Sequence, residues 1–161
     1  MSSEASRTLL RVTPNRLRRF LNLWPPYVGA GIRVEHIAPD WSSATVALHL
    51  RWYNRNIRGT HFGGSIYSMA DPFFALLVIH RLPADYSVWD KSASIDFIAP
   101  GRGRIWARFE VTEQDIAQIV AMTADGDKHL HIFKADVMDG DGIVVARVEK
   151  IVYVRRRRAP A

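Results

Sequence analysis

Hydrophobic and polar positions alternate along several stretches of the chain. In residues 43–50, Val46, Leu48 and Leu50 interleave with Thr45, Ala47 and His49, the two-residue period of a half-buried strand. Residues 32–38 read as a strand leading into it. In residues 92–98, Ala93, Ile95 and Phe97 alternate with Ser92, Ser94 and Asp96 before Pro100 and Gly101 turn the chain, and residues 105–111 repeat the pattern. Residues 129–138 and 143–154 form two longer strands. Asp139, Gly140, Asp141 and Gly142 join them, and those glycines provide the positive φ that a hairpin turn needs.

Other stretches carry the helical period. Thr13 followed by Pro14 is a start signal, a capping hydroxyl and then proline in the first turn. From there to Pro25, Leu17, Phe20, Leu21 and Trp24 recur at helical spacing while Arg16, Arg18 and Arg19 take other faces. Gly29 and Gly31 mark a turn. Residues 65–81 are apolar on nearly every face, with Ile66, Met69, Phe73, Phe74, Leu76, Leu77 and Ile79, so that helix must be wrapped by other structure. Residues 113–123 predict a shorter helix with Ile116, Ile119 and Val120 on one stripe. The order is helix, two strands, buried helix, two strands, short helix, two strands. Strands that come in hairpin pairs around one oily helix predict an α+β fold, an antiparallel sheet wrapped around a central helix. At 161 residues the chain is one domain with one core. We divide it into an arm and amphipathic helix (1–29), a main domain (30–154) and a basic tail (155–161).

Composition narrows the setting. With 48% apolar and 24% charged residues, and no run near the ~20 apolar residues of a membrane-spanning helix, the expectation is a protein of the cytoplasm without a membrane span. Arginines interrupt the apolar runs at the start, unlike a secretory leader. The absence of cysteine removes disulfides, thiolate zinc sites and cysteine nucleophiles. The net charge of +6 favours anionic partners and is concentrated at Arg16, Arg18 and Arg19 and at Arg155 to Arg158, the latter read as a solvated tail. No nucleic-acid reader element accompanies it, so no specific nucleic-acid partner is expected.

The segment from Asn56 to Pro72, NIRGTHFGGSIYSMADP, carries the candidate chemistry. Gly63 and Gly64 stand where the loop becomes helix, so their N–H groups fall among the unpaired donors of a first turn, a place for an oxyanion or a phosphate. Asp71 follows seven residues after Gly64, which on a continuous helix returns it to roughly the same face. Pro72 should break or kink that helix. Asp71 and Pro72 therefore read equally as a carboxylate aimed at the groove and as a capping pair.

These residues resemble the hotdog-fold thioesterases, particularly the aromatic and medium-chain acyl-CoA type and a branch of unknown function. The family loop runs Asn-x-x-Gly-Thr-x-His-Gly-Gly with an Asp seven residues later. Here the matching positions are Asn56, Gly59, Thr60, Gly63, Gly64 and Asp71, with Phe62 at the family's histidine, His61 one place earlier, and Asp90 near a hydroxyl position of some members. The likeness runs from about residue 30 to 154, through SIDFIAPGRGRIWARFEV and DGDGIVVARVEKIVYV. It implies hydrolysis of an acyl-CoA or acyl-carrier thioester without a cofactor or metal. Gly63 would donate to the thioester carbonyl, Asp71 would act as base or nucleophile, and Asn56 would hold the attacking group. Gly64, Thr60 and His61 would border the substrate, and Arg58 and Arg102 would meet the phosphates of CoA. It also implies a homodimer, or a tetramer of such dimers, with the groove shared between subunits and the strand at residues 92–98 as the pairing edge.

Two alternatives belong beside this. A non-catalytic module binding acyl-CoA would not need an ionised Asp71, and a hydroxyacyl-thioester dehydratase would use His61 with Asp71. His49, His129 and His131 read as ordinary strand histidines, since His129 and His131 share a face with no third ligand evident. Asp90 and Asp96 read as strand carboxylates, exposed or hydrogen-bonded.

Overall fold

The structure, a computed structural model, describes residues 12–157. Helix α1 (Pro14–Leu21) is capped by Thr13, whose hydroxyl accepts from the Arg16 N–H, and buries Leu17 and Leu21. A second helix, α2 (Pro25–Ala30), follows at once and ends at Gly31 in the left-handed region, φ 77°. The paired prolines that read as a terminator for α1 start α2 instead, because proline is tolerated in a first turn. Strands β1 (Ile32–Ile37) and β2 (Ser43–His49) come next.

The apolar helix is two helices, α3 (Gly63–Ala70) and α4 (Phe73–Arg81). They are separated at a cis Asp71–Pro72 peptide. The break that Pro72 predicts is present, and Asp71 sits at the C-terminal cap of α3 rather than capping the next helix. Strands β3 (Tyr86–Phe97) and β4 (Arg104–Glu110), helix α5 (Glu113–Met122), and strands β5 (Lys128–Met138) and β6 (Val144–Arg156) complete the chain. Thr112 and Asp115 close a capping box on α5.

The six strands form one antiparallel sheet in the order β1-β2-β4-β5-β6-β3. Aromatic stacking fixes α4 against its middle: Phe73 lies parallel to Phe109 of β4 at 5.3 Å, and Phe74 parallel to Phe133 of β5 at 4.7 Å. Ile66, Met69, Leu77 and Val78 join Val34, Val46, Ile105, Val148 and Val152 in the same buried cluster. The main expectation, an antiparallel sheet around a central apolar element, is met. Among the described residues no helix is long and apolar enough to cross a membrane.

Two strands run further than their patterns predict. A bulge between Asp90 and Ser92 shifts the inward parity of β3 from Tyr86, Val88 and Asp90 to Ala93 and Ile95, so the alternation at residues 92–98 is only the second half of one strand. At the other end β6 continues to Arg156. The Arg155 guanidinium donates to the Gly126 carbonyl at 2.9 Å, Arg156 pairs with Asp85 at 2.8 Å, and Arg157 donates to the Ala84 carbonyl. The first three arginines of the run are thus hydrogen-bonded to the folded body while staying exposed, and Arg158 lies outside the described residues.

Strand β3 is an edge of the sheet, paired with β6 along its whole length, from Tyr86 opposite Arg156 to Phe97 opposite Ala146. Its free side presents a row of backbone groups that a further strand can pair with.

Candidate functional site

The loop between β2 and α3 is held by two asparagines. The Asn56 side-chain NH₂ donates to the Thr60 hydroxyl at 2.8 Å and to the His61 carbonyl at 3.1 Å, and its oxygen accepts from the N–H groups of Arg58 and Thr60. Both ends of that amide are spent within the loop. Asn56 therefore shapes the loop backbone in this protomer and does not offer a free amide to an attacking group. Asn54, which the sequence reading passes over, is buried and ties the loop to its surroundings. It donates to the carbonyls of Ala30 and His49 and accepts from the Arg51 N–H.

His61 is buried, and its Nε2 lies 3.0 Å from the Gly103 carbonyl. A carbonyl can only accept, so Nε2 carries the proton, and desolvation lowers the imidazole's affinity for a second one. That contact fixes the ring to the loop through Nε2, while Nδ1 is buried without a hydrogen-bond partner.

Loop and sheet together enclose an open cavity of about 510 Å³. Asn56, Arg58, Thr60, His61, Gly63 and Arg102 all line it, together with Phe97 and Pro100. Gly63 and Gly64 occupy the first two positions of α3, where the helix provides no acceptor for their N–H groups. Phe97 leans over Gly63 so closely that a Cβ there would stand 2.9 Å from its ring. Gly64 is exposed against the ring of Phe62 and does not line the cavity.

Asp71 lies at the far end of α3, apart from this cavity within one protomer. Its side chain is 58% exposed, and its Oδ1 is 2.6 Å from Lys150 Nζ. Lys150 is 4% exposed and also reaches Asp90 Oδ2 at 2.9 Å. One ammonium thus sits between two carboxylates drawn from the end of α3 and from β3. Tyr27 of α2 donates its hydroxyl to the Asp71 carbonyl, and burial, with the nearby Asp71 charge, raises the phenol's pKa well above the usual range. Burial pushes the Asp90 carboxyl up, against the pull of Lys150, while Lys150 is held above an ordinary lysine by its two carboxylates despite its burial. Asp90 is half-buried and hydrogen-bonded, the second of the forms expected for it.

Lys150 is the functional candidate that the sequence reading missed. The signal was parity: Val148, Lys150, Val152 and Val154 share one face of β6, and Lys150 is the charged member of that inward row. His129 and His131 are held by their neighbours. His131 is buried with Nε2 at 3.0 Å from Asp115, the α5 capping residue, and His129 lies 3.2 Å from His131.

A family model described as a domain of unknown function (DUF4442) matches residues 15–154. No match is found among curated proteins. Among solved structures, a Pseudomonas aeruginosa protein of unknown function described as a probable thioesterase is 18% identical. It superposes with a TM-score of 0.76 over 98% of this chain and 97% of its own. A thioesterase of Haemophilus influenzae is 12% identical, with a TM-score of 0.66 over 90% of this chain and 92% of its own. A mutant of the phenylacetic acid degradation protein PaaI of Thermus thermophilus is 26% identical, with a TM-score of 0.57 over 81% of this chain and 98% of its own. The fold is the α+β hotdog fold of thioesterase-like proteins.

Proposed function

This chain belongs to the DUF4442 family, and from that starting point we propose that it hydrolyses acyl thioesters of coenzyme A or of an acyl carrier in a groove shared by two subunits. The observation that carries the reading is the placement of two complementary half-sites along one free strand edge. At the Phe97 end of β3 stand Gly63 with its unpaired first-turn N–H and the exposed Arg58 and Arg102. At the Asp90 end stands the exposed carboxylate of Asp71. Two copies of β3 that pair antiparallel about a two-fold axis near mid-strand bring the Gly63 end of one protomer beside the Asp71 end of its partner. The pairing also covers the open edge.

In that groove Asp71 removes a proton from water as the water oxygen bonds to the thioester carbonyl carbon. The carbonyl oxygen gains the negative charge and is met by the Gly63 N–H at the positive end of α3. Collapse of this adduct breaks the C–S bond, and the proton held on Asp71 returns to the departing sulfur. A thioester is already activated toward acyl transfer, so an oriented water and one oxyanion site suffice. Arg58 and Arg102 receive the phosphates of CoA.

Release of free thiol, followed over a panel of short-chain, medium-chain and arylacetyl-CoA thioesters, tests the activity. We expect turnover of at least one class well above the rate without protein. Saturable binding of the panel with no thiol release would contradict hydrolysis and point to an acyl-CoA-binding module.

A further inference from the structure

We propose that Lys150 and Asp90 are positioning residues that set the ionisation and aim of Asp71, an inference that rests on the reading of Asp71 as the base. Lys150 is anchored from below by β6, where it sits opposite the uncharged Phe133 of β5 and Ala93 of β3. With 4% of its side chain exposed, its ammonium has no access to bulk water as an alternative partner, and it grips one oxygen of Asp71 and one of Asp90. Asp71 is thereby pinned, through Oδ1, at a helix terminus that would otherwise leave its side chain free to rotate. The charged and titratable groups that face the cluster are Asp71 itself, Asp90 and, through the Asp71 carbonyl, Tyr27.

The stoichiometry matters more than the contact. A lysine paired with the base alone would stabilise its ionised form and weaken it as a proton acceptor. The second carboxylate changes this. With both carboxylates ionised the cluster carries one net negative charge, and when Asp71 takes a proton from water the remainder is a neutral Lys150–Asp90 pair. The proton is accepted without leaving a buried charge unbalanced. Asp90 reaches that ionised state later than an ordinary carboxyl, because its burial raises its titration.

The two neighbours therefore act on Asp71 with opposite sign, and the pH profile of kcat/KM separates them. Lys150→Met leaves two carboxylates facing each other, so the acid limb should move up by about one pH unit, with a loss of at least about ten-fold in kcat as the aim of Asp71 relaxes. Asp90→Asn leaves the ammonium to Asp71 alone, so the acid limb should move down by about one pH unit with a fall in kcat on the plateau. A merely structural pair would lower the melting temperature in both variants without shifting the limbs apart. Limbs that stay in place, or that move in the same direction, overturn the proposal while leaving Asp71 as base. Asp71→Asn with wild-type turnover overturns that underlying reading as well. Should Lys150→Met fail to fold, Asp90→Asn decides the matter by the direction of its shift.

Discussion

Asp71→Asn should lower thioester turnover by about 10² to 10⁴ while the protein keeps its fold. Asparagine has nearly the shape of aspartate, and its carbonyl oxygen can still accept from Lys150. The side chain is 58% exposed, so little buried structure depends on its charge, and Asp90 at 2.9 Å remains to balance the lysine. What the substitution removes is the ability to take a proton from water. The loss should therefore fall on kcat, with KM nearly unchanged, and the circular dichroism melt should resemble that of the wild type. Asp96→Asn, an exposed carboxylate on the same strand as Asp90, is the control and should change little. Equal turnover in wild type and Asp71→Asn would remove the base.

Gly63→Val should be nearly as damaging, for a steric reason. A Cβ at residue 63 would stand 2.9 Å from Phe97 Cζ and 3.3 Å from its Cε1, so any side chain must displace that ring across the cavity mouth. Phe97 is 57% exposed and can swing away, which keeps the cost in stability small. The same swing fills the space in which a thioester carbonyl would approach the Gly63 N–H. Loss of one oxyanion donor costs about 10² to 10³ in kcat, and that is the expected fall. A folded Gly63→Val protein with full activity would show that no carbonyl binds there.

The alternation of β1, β4 and β5 and the turn at residues 139–142 were legible because one face of each strand meets the core, whereas β2, expected to be half-buried, is buried on both faces, Ala47 as fully as Val46 and Leu48. The helix break at Pro72 was legible for an equally local reason, a missing N–H and a ring that clashes with the preceding turn. The first half of β3 was hidden because the bulge near Lys91 changes which parity points inward, and a two-residue period cannot be followed through a phase shift. Helix α2 was hidden because prolines that end one helix also begin another.

At the site, the loop glycines and the two arginines were readable as a group, since they are close in sequence or follow a turn, and the fold brings Gly63, Arg58 and Arg102 to one cavity. The cluster around Lys150 was not. Asp71, Asp90 and Lys150 come from three elements far apart in the chain, and only the sheet register places them together. The expectation that Gly64 and Asp71 share one helical face assumed a helix that continues through Asp71, and the break there turns the carboxylate away from the cavity of its own protomer.

The shared groove is tested most directly by mixing the two disabled variants. Gly63→Val subunits keep an intact Asp71, and Asp71→Asn subunits keep an intact Gly63, so a mixed dimer holds one complete site and one doubly damaged site. Equal amounts that exchange subunits freely should give mixed dimers in about half of the population and hence about a quarter of wild-type activity. Light scattering on the same sample should report at least twice the 18.3 kDa chain mass. A mixture no more active than its separate components, or an active species at the mass of a single chain, would contradict the account.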